Sequence, residues 1–492
     1  QAVSPAVEPI IYYLDPGTPE PIRSALLEGA QWWNQAFEAL GYDQAFQVAL
    51  LPEGADPLDV RYNVIQWVHR STRGWSYGAS ITDPRTGEII KGHVSLGSLR
   101  VRQDFLIAQG LAADPFAQDQ VDPAMQELAL ARLRQLSAHE VGHTLGFAHN
   151  FAASAYGMVS VMDYPHPQLS LVNGAIDFSK AYETGIGLWD KISVAYSYGD
   201  IPKERDQNEF LKDVLDKAFS GHLLFITDTD ARAASGSHAQ AHLWDNGSNA
   251  AAGLEQIMAV RKVAINQFSL KQIPNGTSHS VLEDVFVPIY YLHRYQTEAA
   301  VKLLGGQLYD YSIKGSNSSI NKAVTPIEQR QALSAILNTL SPLELHIPER
   351  IEALFPPRAF GHPRTRESFK SAMGVNFDPL TAAGSAASMT LEFLFHPARL
   401  NRIYWQQVSD PSQLSLDELL EKSAQMFNST QASPRLNTLN EYVLNLYLRQ
   451  VMAASVDKQT LPQVKSKLKD HLYHWEYITL CIVLLLILQF CQ

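Results

Sequence analysis

Residues 139–149 read His139-Glu140-Val141-Gly142-His143-Thr144-Leu145-Gly146-Phe147-Ala148-His149. On a helix, His139 and His143 stand one turn apart and project both imidazoles from one face. That spacing suits two ligands of one tetrahedral zinc ion. Glu140 sits beside them, where its carboxylate reaches a water at the metal without binding the metal itself. Gly146 frees the backbone to turn out of the helix, so that His149 can return as a third ligand from another direction. Three neutral nitrogens leave a fourth position for water, the mark of a catalytic rather than a structural zinc site. At this composition H-E-x-x-H arises by chance in about one such chain in 40, and the extended pattern with Gly and the third His in roughly one in 20,000.

The stretch Ser160-Val161-Met162-Asp163-Tyr164-Pro165 follows shortly after the third His. H-E-x-x-H-x-x-G-x-x-H followed by a Met-turn resembles the metzincin metallopeptidases. The resemblance makes Met162 the Met-turn residue, a soft apolar floor beneath the histidines. The S-x-M-x-Y form is similar to the astacin and serralysin branches, which implies that Tyr164 approaches the metal or stabilises the oxyanion. One departure is Asn150, which stands after the third His where the best-known branches have Glu, Asp, Pro or Ser. The runs WNQAFEALGY, RYNVIQWVHRSTRGWSYG, DPRTGEIIKGHVSLGS and SAHEVGHTLGFAHNFAAS look like a bacterial family of large zinc-dependent metalloproteases. The domain of that family is related to the catalytic chain of an AB-type enterotoxin. The likeness continues through LWDNG, HRYQTEAA and HPARLNRI and covers roughly residues 8–455. It implies peptide-bond hydrolysis with Zn2+ as cofactor, a polypeptide as substrate, further N-terminal segments in family members, and an exported location: periplasmic, cell-envelope or secreted. Two alternatives are a non-catalytic zinc-binding scaffold, against which Glu140 argues because a structural site needs no base, and a toxin-like subunit active only in a complex.

These residues need a scaffold, and the chain is long enough to supply one. Its 492 residues are 46% hydrophobic and 18% charged, a globular composition that excludes collagen-like, disordered and disulfide-dense classes. The formal charge of −11 argues against a nucleic-acid partner. The only cysteines, Cys481 and Cys491, fall in the last dozen residues, so neither a disulfide framework nor a Cys-rich metal site can hold the body together.

Residues 9–14, 46–51 and 62–68 read as strands, and 79–82 with 88–96 as a hairpin around Asp-Pro-Arg-Thr-Gly. A helix is expected from Thr18 to Gly41, with Ile22, Leu26, Ala30, Trp33, Phe37 and Leu40 on one face. A second should start at Asp122-Pro123, bury Met125, Ala129, Leu133 and Leu136, and stop at Gly146. After residue 200 strand-like alternation disappears and helical stripes dominate, at 253–268, 280–304, 327–340, 381–396, 415–427 and 437–454. The expected fold is therefore α+β: a metzincin-like catalytic domain over 1–200, with a twisted mixed sheet and the active-site helix, then a mostly helical region over 201–472. Residues 90–96 are the expected edge strand for an extended substrate. Residues 473–492 form an apolar tail. Its core, Ile478–Leu488, is about half the ~20 residues a membrane span needs, so membrane contact there is possible but not favoured.

Several further residues carry weaker signals. His93 reads as structural. Asp228, Asp230, Asp245 and Asn246 offer oxygen ligands but fit no standard calcium loop, so turns and caps are expected. Arg70, Arg73 and Arg85 read as solvated charges. N-x-S/T at Asn246, Asn275, Asn317 and Asn428 has meaning only in a eukaryotic secretory pathway.

Overall fold

The computed structural model describes residues 3–69, 75–221, 223–315, 320–428 and 431–474. Arg70, Arg73, Asn317, both cysteines and the apolar run 478–488 lie outside the described residues.

A two-residue strand β1 (Ser4–Pro5) pairs with β3 (Tyr42–Asp43) at one border of the first region. The main sheet uses β2 (Ile10–Leu14), β4 (Phe46–Leu50), β5 (Asn63–Val68), β6 (Tyr77–Thr82) and β7 (Ile89–Gly97), in the order β4-β2-β5-β7-β6. All neighbours run parallel except the β6–β7 hairpin. The expected edge strand is corrected here. Residues 90–96 lie in β7, where His93 stands between Val64 of β5 and Ala79 of β6; the sheet's two edges are β4 and β6, and β6 is the edge that packs against the motif helix. The sequence carries the reason: β7 is buried along nearly its whole length, as an inner strand must be, whereas β6 (YGASIT) is largely exposed.

After β2 and a loop come helices α1 (Ile22–Gln31) and α2 (Asn34–Glu38), nearly continuous with each other, and the chain leaves them through Gly41 at φ +94°. The helix starts later than Thr18, whose hydroxyl donates to the Asp15 carbonyl instead of capping it. Helix α3 (Ser98–Leu111) was not expected. It packs against the helix over Pro123–Thr144 and against the helix over Leu282–Tyr290, so its apolar residues do not form a single stripe. Helix α4 (Pro123–Thr144) carries the motif; Asp122 caps it by accepting the Ala124 N–H at 2.9 Å. Its position is fixed from two sides. Trp33 Nε1 donates to the Ala138 carbonyl at 2.8 Å and Ser137 Oγ to that of Leu26 at 2.7 Å, while the Tyr12 hydroxyl of β2 donates to Thr144 Oγ1 at 2.7 Å.

Beyond lie α5 (Leu188–Tyr198), α6 (Gln207–Ser220), the one-turn α7 (Asp228–Ala231), α8 (Ala250–Gln267), α9 (Leu282–Tyr290) and α10 (Arg294–Val301). Further helices span Pro326–Thr339, Pro379–Leu394, Pro397–Ser409, Leu416–Gln425 and Pro434–Val456. The fold is α+β, a mixed sheet with helices around it followed by an extensive helical region. Strands do recur after residue 200: Gln307–Tyr309 pairs antiparallel with Asn321–Ala323. Three residues are too few for a two-residue period to be read from sequence. The 280–304 stripe divides into α9 and α10 around residues 291–293.

One core gathers Trp33, Phe37, Phe46, Val94, Leu133, Val141 and Met162 between sheet and α4. The other runs through the helical region and takes in Leu111 and Leu169 from earlier in the chain. Among the described residues no helix is long and apolar enough to cross a membrane.

Candidate metal centre

Helix α4 ends at Thr144, and Gly146 takes φ +97°, a conformation glycine adopts without strain. The turn swings His149 back over the helix. The Nε2 atom of His143 then lies 3.1 Å from Nε2 of His139 and 3.1 Å from Nε2 of His149. Each ring is anchored through its other nitrogen: His139 Nδ1 to the Val161 carbonyl at 2.7 Å, His143 Nδ1 to that of Phe147 at 2.9 Å, and His149 Nδ1 to Asp228 Oδ2 at 2.8 Å. A carbonyl or carboxylate oxygen only accepts, so Nδ1 carries the proton in all three rings and every Nε2 presents a lone pair. Three lone pairs aimed at one another repel unless a cation lies between them. Two imidazoles bound to a tetrahedral zinc at about 2.1 Å stand about 3.4 Å apart, close to the spacing found. The donor set fits zinc, and among the described residues these three form the one cluster of at least three His, Cys, Asp or Glu able to hold a metal.

Burial keeps these rings neutral. It pushes His139 well below the ordinary imidazole range, lowers His143, and lowers His149 to about 4 against the opposing pull of Asp228. A depressed imidazole pKa preserves the ligating form as pH falls, so protons compete poorly with the metal. We therefore expect zinc affinity to weaken by less than about tenfold between pH 7 and 5.5, against about a thousandfold for three ordinary histidines. Competition with a chelator at the two pH values checks this, and a thousandfold loss would contradict it.

Glu140 is 5% exposed and lies on the side of α4 facing β6. Burial pushes its carboxyl up to about 7, opposed by the Arg132 guanidinium and by the Gly78 N–H of the edge strand. A Cβ on Gly78 would stand 2.0 Å from the Glu140 carbonyl, so only glycine lets strand and helix meet so closely.

Met162 lies beneath the histidines, 1% exposed, and Gly142 makes room for it: a Cβ there would come within 2.3 Å of the Met162 sulfur. The turn is pinned by Asp190 of α5, which accepts from Ser160 Oγ at 2.6 Å and from the Val161 N–H at 2.9 Å. Asn150 is fully buried. Its N–H donates to the Met162 carbonyl at 3.1 Å, its Nδ2 donates to that of Leu224 at 2.9 Å, and its Oδ1 accepts from Ile226 N–H at 3.2 Å. This amide, which both donates and accepts, ties the loop that carries His149 to the turn at Met162 and to the helical region.

The Tyr164 ring lies 5.1 Å from that of His139 and 4.8 Å from that of His149, and its hydroxyl accepts from Arg232 Nη2 at 3.2 Å. Trp244, in the LWDNG run, donates its backbone N–H to the Tyr164 carbonyl at 2.8 Å and packs its ring 5.0 Å from that of Tyr164. Arg100 and Arg132 stack on that indole at 5.2 and 5.4 Å.

The other sequence candidates separate. His93 is half-buried in β7, away from the cluster. Asp228 turns to His149, Asp230 accepts from the Tyr309 and Tyr311 hydroxyls, Asp245 is buried against Ser154 Oγ, and Asn246 Nδ2 donates to the Pro167 carbonyl. Arg85 pairs with Asp83 at the surface.

Residues 121–433 match the family described as Met-zincin, which is more than half of the chain. The chain belongs to the Met-zincin family. In this Met-zincin the matched span starts just before α4 and takes in the histidines, the Met-turn, α7 and most of the helical region. No curated protein and no solved structure matches the chain.

Proposed function

We propose that this Met-zincin is a zinc-dependent endopeptidase with Glu140 as its general base. The observation that carries the reading is the convergence of three neutral Nε2 lone pairs, with the buried carboxylate of Glu140, next to His139 on the same helix, hydrogen-bonded to the Gly78 N–H of the edge strand. His139, His143 and His149 would hold the ion. A zinc ion held there would act as a Lewis acid on the scissile carbonyl and lower the pKa of the attacking water to about 7. Glu140, its carboxyl buried against the edge strand, takes the proton of that water and returns it to the leaving amine. An extended polypeptide would add alongside β6, the position Gly78 gives Glu140 against the scissile bond. An exported location goes with this reading.

The Tyr164 hydroxyl donates to the developing oxyanion. Tyr164→Phe should therefore lower kcat by roughly ten to a thousandfold with little change in KM. Steady-state kinetics on one good peptide decide it, and an unchanged kcat would return Tyr164 to a packing role. The broader reading is tested with a mixed peptide library and the zinc-loaded chain. Internal cleavages mapped by mass spectrometry and abolished by a chelator are expected. A loaded chain that cleaves nothing would favour a zinc-binding scaffold or a subunit that needs a partner.

A further inference from the structure

The helical region reaches the metal centre through α7. Asp228 Oδ2 accepts the His149 Nδ1–H at 2.8 Å, and Asp228 Oδ1 accepts from Arg232 Nε. The same guanidinium donates through Nη2 to the Tyr164 hydroxyl at 3.2 Å and lies over the Tyr164 and Phe151 rings at 5.1 and 5.3 Å. One carboxylate and one guanidinium thus connect His149 to the tyrosine that packs against its ring and that of His139.

We propose that Asp228 and Arg232 are positioning residues of the metal centre: Asp228 orients His149 toward the metal, and Arg232 aims the Tyr164 hydroxyl into the cleft. The second half rests on the endopeptidase reading; the first does not.

The physical case has three parts. An imidazole that donates Nδ1–H to a carboxylate is fixed in tautomer and ring orientation, and its Nε2 becomes the stronger donor to a metal. Arginine has no acceptor, so a tyrosine hydroxyl that accepts from it keeps its own proton free to donate elsewhere. The nearby cation also makes that hydroxyl a stronger hydrogen-bond donor.

Third, α7 is clamped rather than loose. The Tyr309 and Tyr311 hydroxyls donate to Asp230, and the Thr227 N–H donates to the Tyr311 hydroxyl at 3.3 Å. Lys302 Nζ, buried on the far side, donates to the carbonyls of Ala231 and Ala241 at 2.6 and 2.8 Å, and Arg402 grips those of Ser235 and Gly236. Strand Gln307–Tyr309, the end of α10 and helix Pro397–Ser409 hold the turn where the pair must sit.

The test uses the full chain. Zinc affinity by chelator competition needs no substrate. Asp228→Ala should weaken it by about 10–100-fold, and Asp228→Asn, which keeps an accepting oxygen but loses the charge, by less. In the cobalt-loaded protein the visible absorption should change in the same order, a signature that loss of packing elsewhere would not produce. Wild-type affinity in a folded Asp228→Ala, or in Asp228→Asn with Asp228→Ala unfolded, overturns the orienting role. For Arg232, the comparison is a double-mutant cycle in kcat. Arg232→Ala should cost about tenfold in the wild-type background and little once Tyr164 is Phe, with Arg232→Lys recovering part of the loss. Equal losses in both backgrounds overturn the link to Tyr164. A zinc-loaded wild type that cleaves no peptide overturns the endopeptidase reading and the Tyr164 half with it, while the affinity series still decides Asp228.

Discussion

Glu140→Gln should bind one zinc per chain and lose peptidase activity by at least about a thousandfold. The substitution keeps shape and volume in a site where the side chain is 5% exposed, and its amide oxygen still accepts from Gly78. It removes only the capacity to take a proton. Glu140 is not part of the His139, His143 and His149 cluster, so metal analysis after dialysis should read as in the wild type. Activity within about tenfold of wild type would end the proposed role. A second readout follows from the raised pKa. Folded, metal-free protein holds the Glu140 proton between its ordinary value of 4.5 and about 7, so rising pH costs the wild type stability across that window. Glutamine has no proton to lose, so the gap in melting temperature between variant and wild type should open as pH rises through it. A gap that does not change with pH would place Glu140 in a more solvated setting.

His149→Ala should empty the site. Two imidazoles one helical turn apart remain, but the ring that closes the coordination from outside the helix is gone. The loss should exceed the about 10–100-fold expected from removing an outer partner such as Asp228. In a chelator buffer that leaves the wild type loaded, the variant should hold almost no zinc and cleave nothing. Unchanged occupancy would show that His149 is not a ligand, whatever its distance from His143.

What the sequence made readable is what neighbours along the chain determine. His139, His143 and Glu140 share one helix, and Gly146 and His149 lie within ten residues of His139, so their spacing alone implies a common centre. The cap at Asp122, the hairpin around Asp-Pro-Arg-Thr-Gly and most of the later helices are local in the same sense. Asp228, Arg232 and Asp190 are not. Asp228 meets His149 across 79 residues and Arg232 meets Tyr164 across 68, and no periodicity links such positions. In sequence Asp228 and Asp230 read only as oxygen donors beside Asp245 and Asn246. A carboxylate free to serve a histidine gives no mark in sequence. The misplaced edge strand has a similar cause. Both arms of the hairpin read as strand, and which one stays free depends on where β5 docks, through pairs such as Val64 with His93 that lie 29 residues apart. Helix α3 escaped because two partners bury two of its faces.

If His139, His143 and His149 hold a zinc ion that makes this chain a peptidase, activity must follow the metal. The most direct test strips the protein with a chelator, returns zinc in sub-stoichiometric steps, and follows cleavage of one peptide substrate. Activity should rise in proportion to added zinc and stop at one equivalent, with none regained in His149→Ala. Cleavage that persists in the stripped protein, or that never appears after one full equivalent has bound, would contradict the account.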